Sequence, residues 1–252
     1  MKEVTFLNCR MHPLTMDESV DVIKNAIEQQ RFFQHVVVNV AKLVNMRSDR
    51  NLFESVNDSD LINIDGQGVV LGARAVGIDV PERVAGIDLF HQLVSMSSKE
   101  GFPIYLLGAE QSVLVKTKEV LEHQYPNLII AGSHHGYFDD EKEIVAQVRA
   151  SGAKLMFVAM SSPKKENFIN TWKSDLGVNF VMGVGGTFDV IAGKVKRAPV
   201  WMQKYGLEWL YRVIQEPRRM FKRYLVTNTK FALLLLKEVM LKELLFKNYK
   251  NK

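Results

Sequence analysis

Asp65 ends a short apolar run, Leu61-Ile-Asn-Ile, and is followed by Gly66 and Gly68. A carboxylate at the end of a buried strand, ahead of a glycine-relieved turn, can project into a cleft rather than the core. There it would sit near a target hydroxyl and be partly shielded from water, as a general base requires. Asp-Gly is equally ordinary turn chemistry, and spacing alone leaves both readings open. Asn39 ends another valine-rich run, Val36-Val-Val, where it suits a helix cap as well as a ligand contact. Arg83, in Pro81-Glu-Arg-Val-Ala-Gly86, is either a solvated surface arginine or a fork of donors for phosphate oxygens. Ser161-Ser-Pro-Lys-Lys-Glu166 follows a third apolar run and opens a helix with Pro163 near its first turn. Free N–H groups and the helix dipole suit an anion at such a place, and Lys165 could hold phosphate there as a point charge.

The richest stretch runs from Gly183 to Tyr224. It follows the apolar segment Asn179-Phe-Val-Met. Gly185 and Gly186 then let the backbone turn tightly and approach a ligand without side-chain clash. Phe188, Asp189 and Gly193 come next, followed by a run thick with Arg, Lys, Trp and Tyr. Such a block suits a sheet-end site for something phosphorylated beside a basic surface, although the glycines alone fit an ordinary strand-turn-helix. Gly108-Ala109, after Ile104-Tyr-Leu-Leu, is a further candidate nucleotide contact. Neither glycine cluster reads G-x-G-x-x-G ahead of a helix, and no ribose-binding acid follows at the expected distance. A nicotinamide-dependent enzyme is therefore a weak competitor.

The whole block resembles the C-terminal signature of the WecG/TagA/CpsF glycosyltransferases, which build bacterial cell-surface polymers on lipid carriers. The residues that carry the resemblance are Gly183-x-Gly185-Gly186-x-Phe188-Asp189, Gly193-Lys194, Arg197-Ala198-Pro199, Leu207-Glu208-Trp209, Arg212, Glu216-Pro217-Arg218-Arg219 and Arg223-Tyr224. The likeness extends from about Val4 to Tyr224. It implies an inverting transferase that moves a sugar, first of all N-acetylmannosamine, from a UDP-sugar to a polyprenyl-diphosphate-linked sugar. In that reading Asp65 is the base. Asn39, Arg83, Gly108, Ala109, Lys165, Glu166, Gly185, Gly186, Phe188 and Asp189 hold substrate, together with Arg212, Arg218, Arg219 and Arg223. Two positions depart from the family's habit. Val37 stands where a threonine is common, and Lys165 replaces the glutamine of Pro-Lys-Gln-Glu, so the donor can differ: UDP-N-acetylmannosaminuronate and UDP-glucose are the alternatives. The pathway would be one of teichoic acid, capsule, common antigen or exopolysaccharide synthesis.

The elements that must position these residues alternate. Strand-like runs near Val4–Leu7, Val36–Val40, Leu61–Asp65, Ile104–Gly108, Leu128–Ala131, Lys154–Met160 and Asn179–Met182 are separated by helical stretches. Those stretches cover Thr15 to Gln30, where Thr15-x-x-Glu18 has capping-box spacing, Lys42–Val56, Gly68–Val76, Gly86–Ser98, Glu110–Tyr125, Glu141–Ala150 and Pro163–Trp172. The pattern predicts a Rossmann-like α/β domain with a largely parallel sheet, whose ligands sit beyond the strand C-termini. Pro217 should end one helix and begin another, with Trp209, Leu210 and Val213 packed on the core.

Charge divides the chain near residue 194. Residues 1–193 carry 18 Lys/Arg against 24 Asp/Glu, and residues 194–252 carry 15 against 4. We read a catalytic domain over 1–193 and a basic helical appendage over 194–252, whose partner is anionic. Its last part, Phe231-Ala-Leu-Leu-Leu-Leu and Val239–Phe246, is leucine-rich with interspersed lysines. That composition suits a helix lying in a membrane interface, or one buried against another subunit in a homo-oligomer, better than a nucleic-acid surface. One cysteine, Cys9, fits a reducing compartment. Met1-Lys-Glu followed by a short strand gives no signal-peptide pattern. The expected location is cytoplasmic, peripheral on the inner face of the membrane. Asp58-x-Asp60 matches a metal-holding D-x-D, but it precedes a buried strand and, by the resemblance, falls on a family segment without a metal role. His134-His135 has no carboxylate or Cys partner at ligand spacing, so no metal and no cofactor are expected. A membrane-associated scaffold without catalysis is the remaining competitor; it would leave Asp65, Asn39 and Arg83 at separate strand ends without a role.

Overall fold

The computed structural model describes residues 1–250; the side chains of Arg219 and of 242–250 lie outside that description. The chain opens with an antiparallel hairpin, β1 (Val4–Phe6) and β2 (Cys9–Met11), with Phe6 opposite Cys9. Leu7 and Asn8 both have positive φ, 50° and 60°, in the mirror-image turn whose twist matches the strands. The first strand therefore stops one residue short of the expected Leu7, and its partner β2 carries no sequence signal of its own.

α1 (Met16–Glu28) begins at the capping box: Thr15 accepts the Glu18 N–H at 3.2 Å and Glu18 accepts the Thr15 N–H at 2.8 Å. After β3 (Phe33–Val38), the single helix expected over Lys42–Val56 is two, α2 (Val40–Asn45) and α3 (Arg50–Asn57). The Ser48 hydroxyl donates to the Asn45 carbonyl at 3.3 Å, and the Asp49 carboxylate accepts the Leu52 N–H at 2.9 Å. Short polar side chains that bond to the backbone end one helix and cap the next. β4 (Leu61–Ile64), α4 (Gln67–Ala75), α5 (Gly86–Glu100), β5 (Ile104–Gly108), α6 (Gln111–Gln124), β6 (Ile130–His134) and α7 (Glu141–Ser151) follow. β7 (Leu155–Ala159), α8 (Lys164–Trp172), β8 (Phe180–Gly183) and the short α9 (Thr187–Ile191) complete the alternation. The basic part forms α10 (Val200–Lys204), α11 (Glu208–Gln215) and α12 (Pro217–Lys250), with Pro217 at the break.

β3 to β8 make one six-stranded sheet in the order β4-β3-β8-β7-β5-β6. Every pair is parallel, a Rossmann-like arrangement. β4, β5, β7 and β8 are buried along their whole length, as strands covered by helices on both faces must be. Register decides where the site can form. Val38 lies opposite Ile64, Val158 opposite Gly183, and Gly108 opposite Ala159. The residues that follow these strands, Asn39, Asp65, Val184, Ala109 and Met160, therefore emerge along one edge.

The leucine-rich end of the chain is partly core. Phe231 is buried and meets Phe6 edge-on, ring centroids 6.4 Å apart. Leu234, Leu235 and Val239, on the same helical face, pack on the same cluster. Gly72 of α4 makes this fit possible, because a Cβ there would lie 3.0 Å from the Phe231 ring and 3.2 Å from that of Phe6. Leu225, Leu233, Leu236 and Met240 face outward. One apolar face of α12 is thus covered by the protein's own hairpin rather than by lipid or another subunit. Among the described residues no helix is long and apolar enough to cross a membrane. Phe231→Ala should weaken this docking by about 3 kcal/mol. Faster hydrogen exchange in residues 217–241 would register it, and unchanged exchange would mean that α12 is held mainly elsewhere.

Candidate active site

A cleft of about 1210 Å³ opens at the carboxyl ends of the strands, with α11 and α12 along its rim. That exceeds the roughly 300–1,000 Å³ of a site for one small ligand, so two substrates can be held together. Its walls are Val37, Asn39, Lys42 and Asp65 on one side, Ala109, Tyr137 and Phe138 on another, and Ser161 to Arg223 around the rest.

Asp65 is held by its own backbone, whose N–H donates to the Val38 carbonyl at 2.9 Å. Its carboxylate lines the cleft, 28% exposed, with Arg83 Nη1 3.9 Å away. Burial raises its proton affinity. Arg83 pulls the other way, Glu208 adds to the rise, and the Gly86 N–H and Arg212 lower it in part. The net direction is upward, toward the range where a carboxylate accepts a proton near neutrality. Gly86 leaves room for this: a Cβ there would stand 3.7 Å from Asp65 Oδ2 and 3.5 Å from Val37. Arg83 lies behind Asp65 and also pairs with Glu208 of α11. Glu208 in turn faces Arg197 at 3.6 Å, and Arg197 makes two bonds to Asp88, at 2.6 and 2.7 Å.

Asn39 lines the cleft while its side-chain oxygen caps α2, accepting the Lys42 N–H at 3.0 Å. Gly66 sits against it, since a Cβ would be 3.1 Å from the Asn39 Cα.

Lys165 and Glu166 form a buried cluster with Lys42, a residue the sequence did not single out. Lys42 and Lys165 reach the same Glu166 oxygen at 2.8 and 2.7 Å. Glu166 lies beneath the two lysines rather than on the cleft wall. Burial pushes its carboxyl up, but Lys42 and Lys165 outweigh that and hold it at about 2. Gly183, on the cleft lining, also makes room for this cluster: a Cβ there would be 2.9 Å from the Lys165 stem. The departure at Lys165 is therefore seated by its neighbours.

Burial lowers Lys165 to about 8, with Lys42 adding to the fall and Glu166 opposing it. Below about pH 8 this lysine is a buried cation, costly to the fold and useful to an anion. As pH rises from there toward the ordinary lysine value of 10.5, the folding penalty is relieved and the cleft loses a positive charge. Calorimetry of inorganic pyrophosphate binding should show affinity falling between pH 7 and 9.5 in the wild type and a flatter profile in Lys165→Met. Parallel profiles would remove Lys165 from the anion site.

Ala109 is on the cleft lining, whereas Gly108 is not. Gly108 has φ 120° and a Cβ there would meet the Ala159 carbonyl oxygen at 2.4 Å, so only glycine fits. Ala109 has φ 59°, its N–H donating to Ala159 at 2.9 Å and its carbonyl accepting from Gly136 at 2.9 Å. A left-handed alanine held from both sides is the kind of strain found at ligand sites. Gly185 (φ 54°), Gly186 and Asp189 line the cleft, with Lys194 3.8 Å from Asp189.

Phe188 is a correction. Its ring is wholly buried against Phe90, centroids 6.2 Å apart, and makes core rather than substrate contact. Arg212 and Arg223 line the cleft rim, whereas Arg218 is exposed and stands off it; the Arg219 side chain lies outside the described residues. Trp209, expected in the core, is exposed and pairs with Tyr224 at 5.9 Å, while Leu210 and Val213 are half-buried. Asp60 accepts the Gln34 N–H at 2.8 Å, and His134 bonds the His135 carbonyl at 2.8 Å, so both suspected metal motifs have structural partners.

The profile of the "Glycosyl transferase WecG/TagA/CpsF family" matches residues 4–244. The chain belongs to that family. The N-acetylglucosaminyldiphosphoundecaprenol N-acetyl-beta-D-mannosaminyltransferase of Bacillus subtilis (strain 168) is similar to it, 37% identical over 190 residues, 75% of this chain and 73% of the relative. The protein is a glycosyltransferase. In this WecG/TagA/CpsF transferase a carboxylate of raised proton affinity and several cations share one cleft. The sequence singled out neither Lys42 nor the cleft aromatics Tyr137 and Phe138, and it carried Glu208 and Arg197 only as signature residues without a role. Lys42 had a findable signal, a lysine one helical turn after Asn39 at a strand end; the others gain meaning only through distant partners.

Proposed function

We propose that the protein transfers N-acetylmannosamine from a UDP-sugar to a polyprenyl-diphosphate-linked sugar with inversion. Asp65 takes the proton of the acceptor hydroxyl as its oxygen attacks the anomeric carbon. The bond from that carbon to the diphosphate breaks, and UDP departs with the electron pair. Supporting this reading above all is Asp65 itself, a carboxylate at a strand end in a cleft whose lining carries more cations than anions, with its proton affinity raised by burial. Negative charge develops on the departing diphosphate, and preorganised cations stabilise it. Arg212 and Arg223 on the rim and Lys165 on the wall fill this role, so the reaction proceeds without a divalent metal; Arg83, behind Asp65, is engaged by Glu208 instead. The body, residues 1–193, supplies the base, and the basic arm, 194–252, supplies rim cations and contacts the anionic inner face of the cytoplasmic membrane.

UDP release from a panel of UDP-sugars, with a short-chain lipid-diphosphate-N-acetylglucosamine acceptor and EDTA present, tests this. Acceptor-dependent turnover with UDP-N-acetylmannosamine is expected. Faster turnover with UDP-glucose or UDP-N-acetylmannosaminuronate would reassign the donor, and no turnover until a divalent metal is added would overturn the metal-free step.

A further inference from the structure

Arg83 is shared by two carboxylates. Its Nη1 bonds Glu208 and stands 3.9 Å from Asp65, beyond hydrogen-bond reach. Glu208 is kept in place from its far side by Arg197, itself fixed by two bonds to Asp88 of α5. The resulting chain, Asp65–Arg83–Glu208–Arg197–Asp88, alternates in sign and ties α11 to the body. Arg83, Glu208 and Arg197 are all less than a quarter exposed, so screening by solvent is limited and geometry decides which carboxylate the arginine serves.

We infer that Glu208 is a positioning residue that holds Arg83 off Asp65, so that the docking of α11 sets how strong a base the cleft contains. This rests on the reading of Asp65 as the base. A base in direct contact with an arginine would keep its charge too well to accept a proton. An opposite charge within about 4–6 Å lowers a carboxyl by roughly 1–3 units, and the pull grows as contact is made. Glu208 prevents that in two ways: it occupies the arginine, and its own charge raises Asp65. The charged groups that bear on Asp65 are Arg83, Glu208 and Arg212, joined by the Gly86 N–H. Removing Glu208 leaves only cations.

The test is the pH profile of kcat in Glu208→Gln, with Glu208→Asp beside it. Glu208→Gln should move the acidic limb down by about one unit and lower the plateau about tenfold as the base weakens, with donor KM changed little. Glu208→Asp keeps the charge and should restore the limb most of the way toward wild type. It also carries the test if the glutamine variant does not fold. A limb that stays in place while kcat falls equally at every pH would mean that Glu208 only braces the fold, and would overturn the inference. Asp65→Asn separates this from failure of the underlying reading. If that variant is inactive and the limb has not moved, only the role of Glu208 is wrong. If it turns over normally, Asp65 is not the base and both fall.

Discussion

Asp65→Asn should lose about 10³-fold in kcat, within the range that a positioned general base contributes, while binding UDP with unchanged affinity. Asparagine keeps the size and one acceptor of the carboxylate but cannot take a proton. The rim cations that would hold the diphosphate lie on other elements and are untouched. The variant should also be no less stable than the wild type. Because burial raises Asp65, the folded state binds its proton more tightly than the unfolded chain. Ionising it above its folded value therefore costs stability, and deleting the charge recovers that cost. In the wild type, activity should fall on the acid side as Asp65 gains its proton, at a higher pH than an ordinary aspartate would show. Single-turnover kinetics, calorimetric UDP binding and thermal unfolding check the three statements. A loss of UDP affinity matching the loss of rate would show that Asp65 binds rather than reacts.

Glu166→Gln should destabilise the fold by about 3–5 kcal/mol, the cost of leaving buried charge unpaired. Glu166 is 2% exposed, and Lys42 and Lys165, each 7% exposed, converge on one of its oxygens. Without the carboxylate two ammonium groups face each other with no counterion. Glu166 holds the Lys165 proton on, so in the variant Lys165 sheds it below its wild-type value of about 8, and the deficit should narrow as pH rises toward and past that value. The wild type should behave in the opposite sense on the acid side. With Glu166 held at about 2 in the fold and 4.5 ordinarily, its contribution is whole above 4.5 and is lost as pH falls from there toward 2. Urea unfolding of the variant at pH 7 and 9.5, and of the wild type between pH 4.5 and 2, measures both. A loss below about 1 kcal/mol at pH 7 would mean that water reaches the cluster and the lysines are not truly desolvated.

The arm shows that composition does not say which apolar face packs inward until the packing is known. Phe231-Ala-Leu-Leu-Leu-Leu reads as an interfacial helix, yet every third or fourth residue, Phe231, Leu234 or Leu235, and Val239, packs on the hairpin and α4. Only the opposite face remains apolar and exposed. Nothing local separates these faces, because the surface they meet, Phe6 and Gly72, lies more than 150 residues away. Phe188 shows the converse. It sits inside the family signature beside cleft-lining glycines, but its ring turns into the core.

The sequence by itself determined the alternation of strands and helices, the break at Pro217, the placement of Asn39 and Asp65 just past strand ends, and the family. These are local or pattern-borne properties: hydrophobic period, caps, breakers and an ordered motif. Only the tertiary structure decided which side chains share partners. Arg83, beside Asp65, meets Glu208 more than 120 residues later, Lys42 meets Glu166, and Gly183 makes room for Lys165. Such pairings depend on strand order and register, which bring the strand ends level along one edge of the sheet. The energy of a buried charge depends on every neighbour that excludes water from it, a property that belongs to no single stretch of chain.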